Sequence, residues 1–170
     1  MPATRHGYST AQIALHWTIA VLVILQVALH DGMVAAFGAR RGDGAATESE
    51  ALLADLHVAF GIAIFVLALL RVALRVTRGA PPPPEAEHPA LRTVARATHL
   101  ALYAIILAMP VTGGLAWFAG LDAMAELHRA GKVAVFVLVI LHVAGALYHH
   151  FVLKTDVLRR MLRPAPTPPL

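Results

Sequence analysis

The chain contains no cysteine among its 170 residues. This absence excludes disulfide scaffolds, cysteine-ligated zinc, iron–sulfur clusters and thiol catalysis. A metal ion must then be held by histidine, carboxylate or methionine side chains. Ten histidines are present, so they carry most of the metal-binding and acid–base chemistry that is left.

Charged residues are also scarce, at 14% of the chain, whereas ordinary soluble domains are about a quarter charged. Hydrophobic residues make up 58%, and the mean hydropathy is +0.68. The charges collect in short clusters between long uncharged runs. The composition therefore excludes an ordinary soluble globular domain and favours a polytopic membrane protein.

Four uncharged runs predict four membrane-spanning helices. Two of them, 6–30 and 97–121, are 25 residues long, and each can cross the hydrocarbon at about 1.5 Å per residue. The run 133–153 is also long enough, whereas 56–70 must borrow the residues before it and let Arg71 snorkel. The first run is too long for a secretory signal and lacks its cleavage pattern, so we expect it to be retained. The prediction is an all-α integral membrane four-helix bundle, a single domain over 1–170 with spans 10–30, 51–74, 97–119 and 128–153.

The distribution of lysine and arginine predicts the orientation of the bundle. Ten of these residues lie on the side that holds both termini and the 75–96 linker, and four lie on the other side. The positive-inside rule places the termini in the cytoplasm. This bias explains most of the basic charge without a nucleic-acid partner. The proline-rich linker and the tail 154–170 are too short for a soluble catalytic domain, so we expect the chemistry within the bundle or at its faces. The ten lysine and arginine residues on the side of the termini are Arg5, Arg71, Arg75, Arg78, Arg92, Arg96, Lys154, Arg159, Arg160 and Arg163.

Histidines at membrane depth point to a redox cofactor. His128 and His142 are 14 residues apart, which puts them on one helix face about 21 Å apart along the axis. This spacing suits two metal centres stacked across a bilayer. Haem with two axial imidazoles is the natural candidate, because each haem needs one ligand from each of two facing helices. By depth, His57 is placed to oppose His128, and either His16 or His99 to oppose His142.

Other assignments of the histidines remain open on the residues alone. His30 also follows His16 by 14 residues, so the first and last spans by themselves contain enough ligands for two haems. The histidines also fit interior hydrogen bonds between helices, or the proton relay of a transporter without haem.

Further polar groups predict sites at the inner end of the bundle. Arg71 lies 14 residues beyond His57, on the same face, where a haem propionate or a quinone oxygen can use its guanidinium. His149 follows His142 by seven residues and is placed to donate a hydrogen bond or a proton to a quinone headgroup. Small residues can admit the edge of a porphyrin at four positions: Gly61, Gly113, Gly114 and Gly145.

Over nearly its whole length the chain resembles the bacterial cytochrome b561 family of four-helix dihaem membrane proteins. The matching segments are 8–17 (YSTAQIALHW), 56–58 (LHV) with Gly61, 70–71 (LR), 99–103 (HLALY), 109–113 (MPVTG) and 141–154. The resemblance implies two haem b groups. It implies that His16 and His142 ligate one haem on the cytoplasmic side, and that His57 and His128 ligate the other on the outer side. His30 is not part of the family motif.

The resemblance also implies a function. Members of this family carry electrons between a quinone pool and an external partner, and one branch oxidises superoxide at the outer face and reduces ubiquinone at the inner face. The expected activity is therefore that of a superoxide:ubiquinone oxidoreductase. Quinone would bind near His149, Lys154 and Arg71, while Arg129 and Lys132 beside the outer ligand would attract the superoxide anion. The alternative is a non-enzymatic subunit that passes electrons to a dehydrogenase or another periplasmic redox protein.

Overall fold

The structure is a computed structural model, and it describes residues 7–84 and 87–164. Within these ranges the chain is helical and contains no strand. The predictions that concern Arg5 and residues 165–170 of the tail fall outside the described residues. The six helices are α1 (Thr10–Ala28), α2 (His30–Arg40), α3 (Glu48–Arg78), α4 (Pro89–Ala119), α5 (Asp122–Phe151) and α6 (Val157–Arg160).

Four of these helices, α1, α3, α4 and α5, are long and apolar enough to cross a membrane. Large apolar side chains such as Ile24, Leu100 and Ile140 are about two-thirds exposed on their surfaces, at 68%, 72% and 65%. Such a surface is costly in water and favourable in lipid. The prediction of an all-α membrane bundle with four spans is confirmed.

Local signals fix where the helices begin. Ser9 and Gln12 form a capping box at the start of α1, and Thr47 and Glu50 form another at the start of α3. α4 begins with a proline at its first position, where the missing N–H costs nothing. As a result α3 and α4 extend beyond the predicted spans, and residues 79–88 form the connection between them.

The connection between the first two spans contains a helix that the sequence analysis did not predict. α2 follows α1 after Leu29 and packs against the first turns of α3. A Cβ on Gly32 would lie only 2.5 Å from Leu53 Cβ, so glycine is what permits this close approach. The Arg40 guanidinium stacks over the Trp117 ring, 4.2 Å from its centroid, and Arg41 pairs with Asp122. These contacts tie α2 to one end of the bundle.

The packing of the spans leaves α5 apart from two of them. α3 packs against α1 and α4, and α4 packs most extensively on α5. Gly131 of α5 lies against Met109 of α4, with only 2.5 Å between an added Cβ and the sulfur. Neither α1 nor α3 packs on α5 to a comparable extent. The histidines of these helices face each other across the space between them.

Both described ends of the chain gather at one end of the bundle. The Trp17 indole Nε1 donates to the backbone oxygen of Met161 at 2.8 Å, and Gln12 Nε2 donates to Gly79 O at 3.0 Å. Arg160 donates to Pro82 O at 2.8 Å. The α3–α4 connection and the segment after α5 thus form one cap over the start of α1. That this end faces the cytoplasm stays a prediction from the charge distribution.

Candidate functional site

Two pairs of histidine rings face each other between the spans. The ring centroids of His57 on α3 and His128 on α5 are 6.3 Å apart, and the ring planes make an angle of 72°. Those of His16 on α1 and His142 on α5 are 6.0 Å apart, with an angle of 67°. All four rings are half-buried. One helix therefore supplies a ring to each of two similar pairs at two depths.

These separations fit two imidazoles bound to opposite sides of one metal ion. A metal–imidazole bond of about 2.0 Å, plus about 1 Å from the nitrogen to the ring centre, gives about 6 Å between the two centroids. A bare metal ion needs three or four protein ligands, and the described residues contain no group of three or more His, Asp or Glu side chains that could hold one. Haem iron needs only two axial ligands, because the porphyrin supplies four nitrogens. The donor set therefore fits haem at both pairs.

Helix α4 orients the ring of His128. Its Nδ1 lies 3.0 Å from the backbone oxygen of Met109 and 3.3 Å from the hydroxyl of Thr112, which itself donates to Ala108 O. A carbonyl can only accept, so Nδ1 carries the hydrogen and Nε2 keeps a free lone pair for a metal. A Cβ on Gly113 would lie 2.9 Å from Cε1 of this ring, so only glycine leaves the ring in place.

The opposing ring, that of His57, lies beside Gln26 of α1. Gln26 Nε2 donates to the backbone oxygen of His57 at 3.0 Å and lies 3.3 Å from a Cβ added to Gly61. Gln26 Oε1 and His57 Nδ1 are both buried without a hydrogen-bond partner among the described residues. Gln26 is not among the residues predicted for the site, although a glutamine inside an uncharged span is itself a signal of an interior contact.

At the pair formed by His16 and His142, Arg71 binds the start of α1. Its Nη1 donates to Gln12 O at 2.9 Å, and its charge acts on the rings of His16, His99 and His142. The role of Arg71 toward a propionate or a quinone stays a prediction.

His99 is a second neighbour of the inner ring. Its ring centroid is 5.0 Å from that of His142, which is shorter than the separation expected across one metal ion, and its Nδ1 donates to Ala95 O at 2.6 Å. By this measure His16 fits as the opposing ligand better than His99 does.

His30 is not positioned to act as a metal ligand. Lys132 Nζ donates to His30 Nε2 at 3.1 Å, so the lone pair that would bind a metal is already used. The geometry thus favours His57 over His30 as the partner of His128. Lys132 is half-buried in this contact, while Arg129 is exposed and pairs with Glu126.

At the end of the bundle opposite His30, the residues predicted to bind quinone lie in different environments. His149 is buried, with Nε2 3.2 Å from Glu87 Oε1 and Nδ1 3.3 Å from Thr155 Oγ1. Lys154 is exposed in the turn after α5, where its backbone has a φ of 53°. Beyond this turn, a hydrogen bond from Arg160 lowers the pKa of Asp156 below its usual range. Of the other small positions, nothing lies within 4 Å of a Cβ added to Gly114 or to Gly145.

A helical membrane bundle with two facing imidazole pairs defines a class of redox protein, and comparison with known sequences places this chain within it. The profile of the prokaryotic cytochrome b561 family matches residues 7–164. Cytochrome b562 of Cereibacter sphaeroides is 35% identical over 93% of this chain and 96% of its own length. Cytochrome b561 homolog 2 of Escherichia coli is 32% identical over 94% of this chain and 93% of its own length. A probable superoxide oxidase of Yersinia pestis is 28% identical over 91% of this chain and 95% of its own length.

The chain belongs to the prokaryotic cytochrome b561 family. It is therefore a bacterial membrane protein of electron transport that binds haem b, as the sequence resemblance implied. Its oxidoreductase character follows from the same membership.

Proposed function

We propose that the chain binds two haem b groups and transfers single electrons across the inner membrane, between superoxide at the outer face and ubiquinone near the cytoplasmic face. The observation that carries this proposal is that two histidine pairs have similar ring separations, 6.0 and 6.3 Å, and that α5 contributes one ring to each pair. His16 with His142 would hold one haem, and His57 with His128 would hold the other. The relationship to a probable superoxide oxidase supports the choice of superoxide.

When bound, each haem would supply one-electron chemistry. The protein's own part is to fix the rings. Met109 O holds His128 in one tautomer, and the charge of Arg71 beside the inner rings favours a carboxylate or a reduced acceptor there.

The net reaction balances across the two faces. Two superoxide anions give up one electron each and become two dioxygen molecules, while one quinone takes up the two electrons and two protons to become a quinol. At the outer face Lys132 and Arg129 raise the local concentration of the anion. At the inner face Arg71, His149 and Lys154 surround the quinone headgroup, with His149 as the proton donor.

The first test is the haem-to-protein ratio of the detergent-purified chain together with its reduced-minus-oxidised spectrum. Two low-spin b haems per chain are expected, and one or none would overturn the paired-ligand proposal. The second test mixes the oxidised protein with a superoxide pulse, without and then with ubiquinone. Rapid haem reduction followed by quinol formation is expected, and an unreduced spectrum would overturn the superoxide activity.

The second candidate is an electron-transfer subunit that anchors a dehydrogenase or a periplasmic redox protein. Two relatives support this candidate. Both are more similar to the chain than the superoxide oxidase is, and both are named as cytochromes without a substrate. Purification from native membranes distinguishes the two functions. A stoichiometric redox partner that reduces the haems, in a chain inert to superoxide, would establish the subunit instead.

A further inference from the structure

A buried carboxylate of the α3–α4 connection meets the inner end of α5. The side chain of Glu87 is only 4% exposed, and its Oε1 lies 3.2 Å from His149 Nε2. Its second oxygen lies 3.8 Å from Nε of Arg92, whose side chain is 44% exposed. Glu87 and His149 are 62 positions apart in the sequence, so their contact exists only in the folded chain.

Thr155 determines which ring nitrogen of His149 carries a hydrogen. Its hydroxyl donates to the backbone oxygen of His149 at 3.2 Å, which leaves its oxygen to accept a hydrogen bond from Nδ1–H at 3.3 Å. If Nε2 had no hydrogen, its lone pair would face a carboxylate oxygen in a buried site, and that contact is repulsive. Nε2 therefore carries a hydrogen that it donates to Glu87, and when the ring is protonated Nδ1–H donates to Thr155 as well.

This arrangement makes the Nδ1 hydrogen the one that can leave. Once it is transferred, Nε2–H still donates to Glu87, so the neutral ring remains paired and in one tautomer. The hydrogen bond that is lost, to Thr155, is long. A carboxylate that holds one imidazole nitrogen so that the other can exchange a proton is a recurring device of general acid–base catalysis.

The pair also lies at the end of the bundle where the proposed quinone reduction would consume protons. His149 follows the ligand candidate His142 by two helical turns, or about 10 Å along the axis. Among the described charged groups, Arg92 on α4 faces Glu87, and the segment that contributes Thr155 also carries the ion pair of Asp156 with Arg160 and the exposed Lys154. Reducing one quinone forms two O–H bonds, and each takes a proton from this face.

We propose that Glu87 is the positioning residue that makes His149 the general acid for quinone protonation. This inference rests on the proposed reduction of quinone at the inner face. In each step the Nδ1–H bond breaks as an O–H bond of the quinol forms, with the electron delivered from superoxide through the bundle. Water on the cytoplasmic side returns a proton to the ring, so two such steps complete one quinol.

The test uses the full haem-loaded chain in nanodiscs, with Glu87→Gln, Glu87→Asp and, as a matched control, Asp156→Asn. The control removes a carboxylate from the same cap without touching His149. We expect Glu87→Gln to slow quinone reduction at least about tenfold, as loss of an orienting carboxylate typically does. Glu87→Asp should recover most of the rate, and Asp156→Asn should keep the wild-type rate.

A second readout does not depend on quinone activity. In reduced protein labelled with ¹⁵N-histidine, the His149 resonance is assigned with His149→Gln and followed against pH. We expect the neutral wild-type ring to keep Nε2–H, and the neutral Glu87→Gln ring to be a mixture of tautomers. The same single tautomer in both proteins would overturn the positioning role. A chain that shows the expected tautomers but never reduces quinone would refute the proposed function and leave the pairing intact.

Discussion

The rings of His16 and His142 face each other across α1 and α5 at 6.0 Å, and this geometry is repeated by His57 and His128 at 6.3 Å. The repetition arises because α5 is one continuous helix, so its two histidines, 14 residues apart, project from the same face at two depths. Two independent pairs with nearly the same separation argue for one kind of ligand bound twice.

Replacing His128 by Ala should remove the outer haem and leave the inner one. The haem-to-protein ratio of the purified variant should fall from two to one, because His142 and its partner are about 21 Å away along the helix. The control is His30→Ala, which removes a histidine of the same end whose Nε2 already accepts from Lys132. It should keep both haems. Loss of both haems or of neither in His128→Ala would contradict the assignment by depth.

Replacing Gly113 by Ala should disturb only the outer site. The new Cβ would lie 2.9 Å from His128 Cε1, and overpacking of this kind costs about 1–3 kcal/mol. We expect a shifted electron paramagnetic resonance signal for one haem, or its loss. Gly114→Ala is the matched control, since nothing lies within 4 Å of its added Cβ. Equal spectra for the two variants would show that the close approach has no functional role.

Replacing Lys132 by Gln should slow the reaction with superoxide more than replacing Arg129 by Gln does. Among the described residues, Lys132 contacts the ring of His30 and pairs with no carboxylate, whereas the charge of Arg129 is offset by Glu126. At low ionic strength we expect a loss of about threefold to tenfold for Lys132→Gln, with a weaker dependence of the rate on salt. Stopped-flow rates at two salt concentrations measure both effects. The reverse order of the variants would assign the steering to Arg129.

The Asp156–Arg160 ion pair should make the segment after α5 sensitive to acid. Because the pKa of Asp156 is lowered in the folded protein, its stabilisation is present above the unfolded value of about 3.9 and is lost as pH falls through the lower folded value. The carboxylate is partly exposed, so the effect is under about 1 kcal/mol, or about fivefold in hydrogen exchange. In Asp156→Asn, exchange over 157–163 should be faster than in wild type at pH 7 and equal to it near pH 2. A difference that persists at pH 2 would contradict this account.

Much of the architecture was predictable because the membrane imposes it locally. An uncharged run of about 20 residues must be helical in lipid, so four such runs predict four spans whatever their neighbours are. α2 was missed because it lies outside such a run, and its position depends on Gly32 meeting Leu53. The connection at 79–88 is shorter than the predicted linker because a proline and a histidine cap begin α4 early.

The sequence by itself determined the spans, the face shared by His128 and His142, and, through the family resemblance, the class of electron carrier. Tertiary structure decided which histidines face each other and which polar groups hold them. The separation of His57 from His30, the contact of Gln26 with His57 and the pairing of Glu87 with His149 all join distant parts of the chain. Helical periodicity fixes the direction of a side chain around its own axis. It does not fix the rotation and spacing of one helix against another, which only the packed bundle sets.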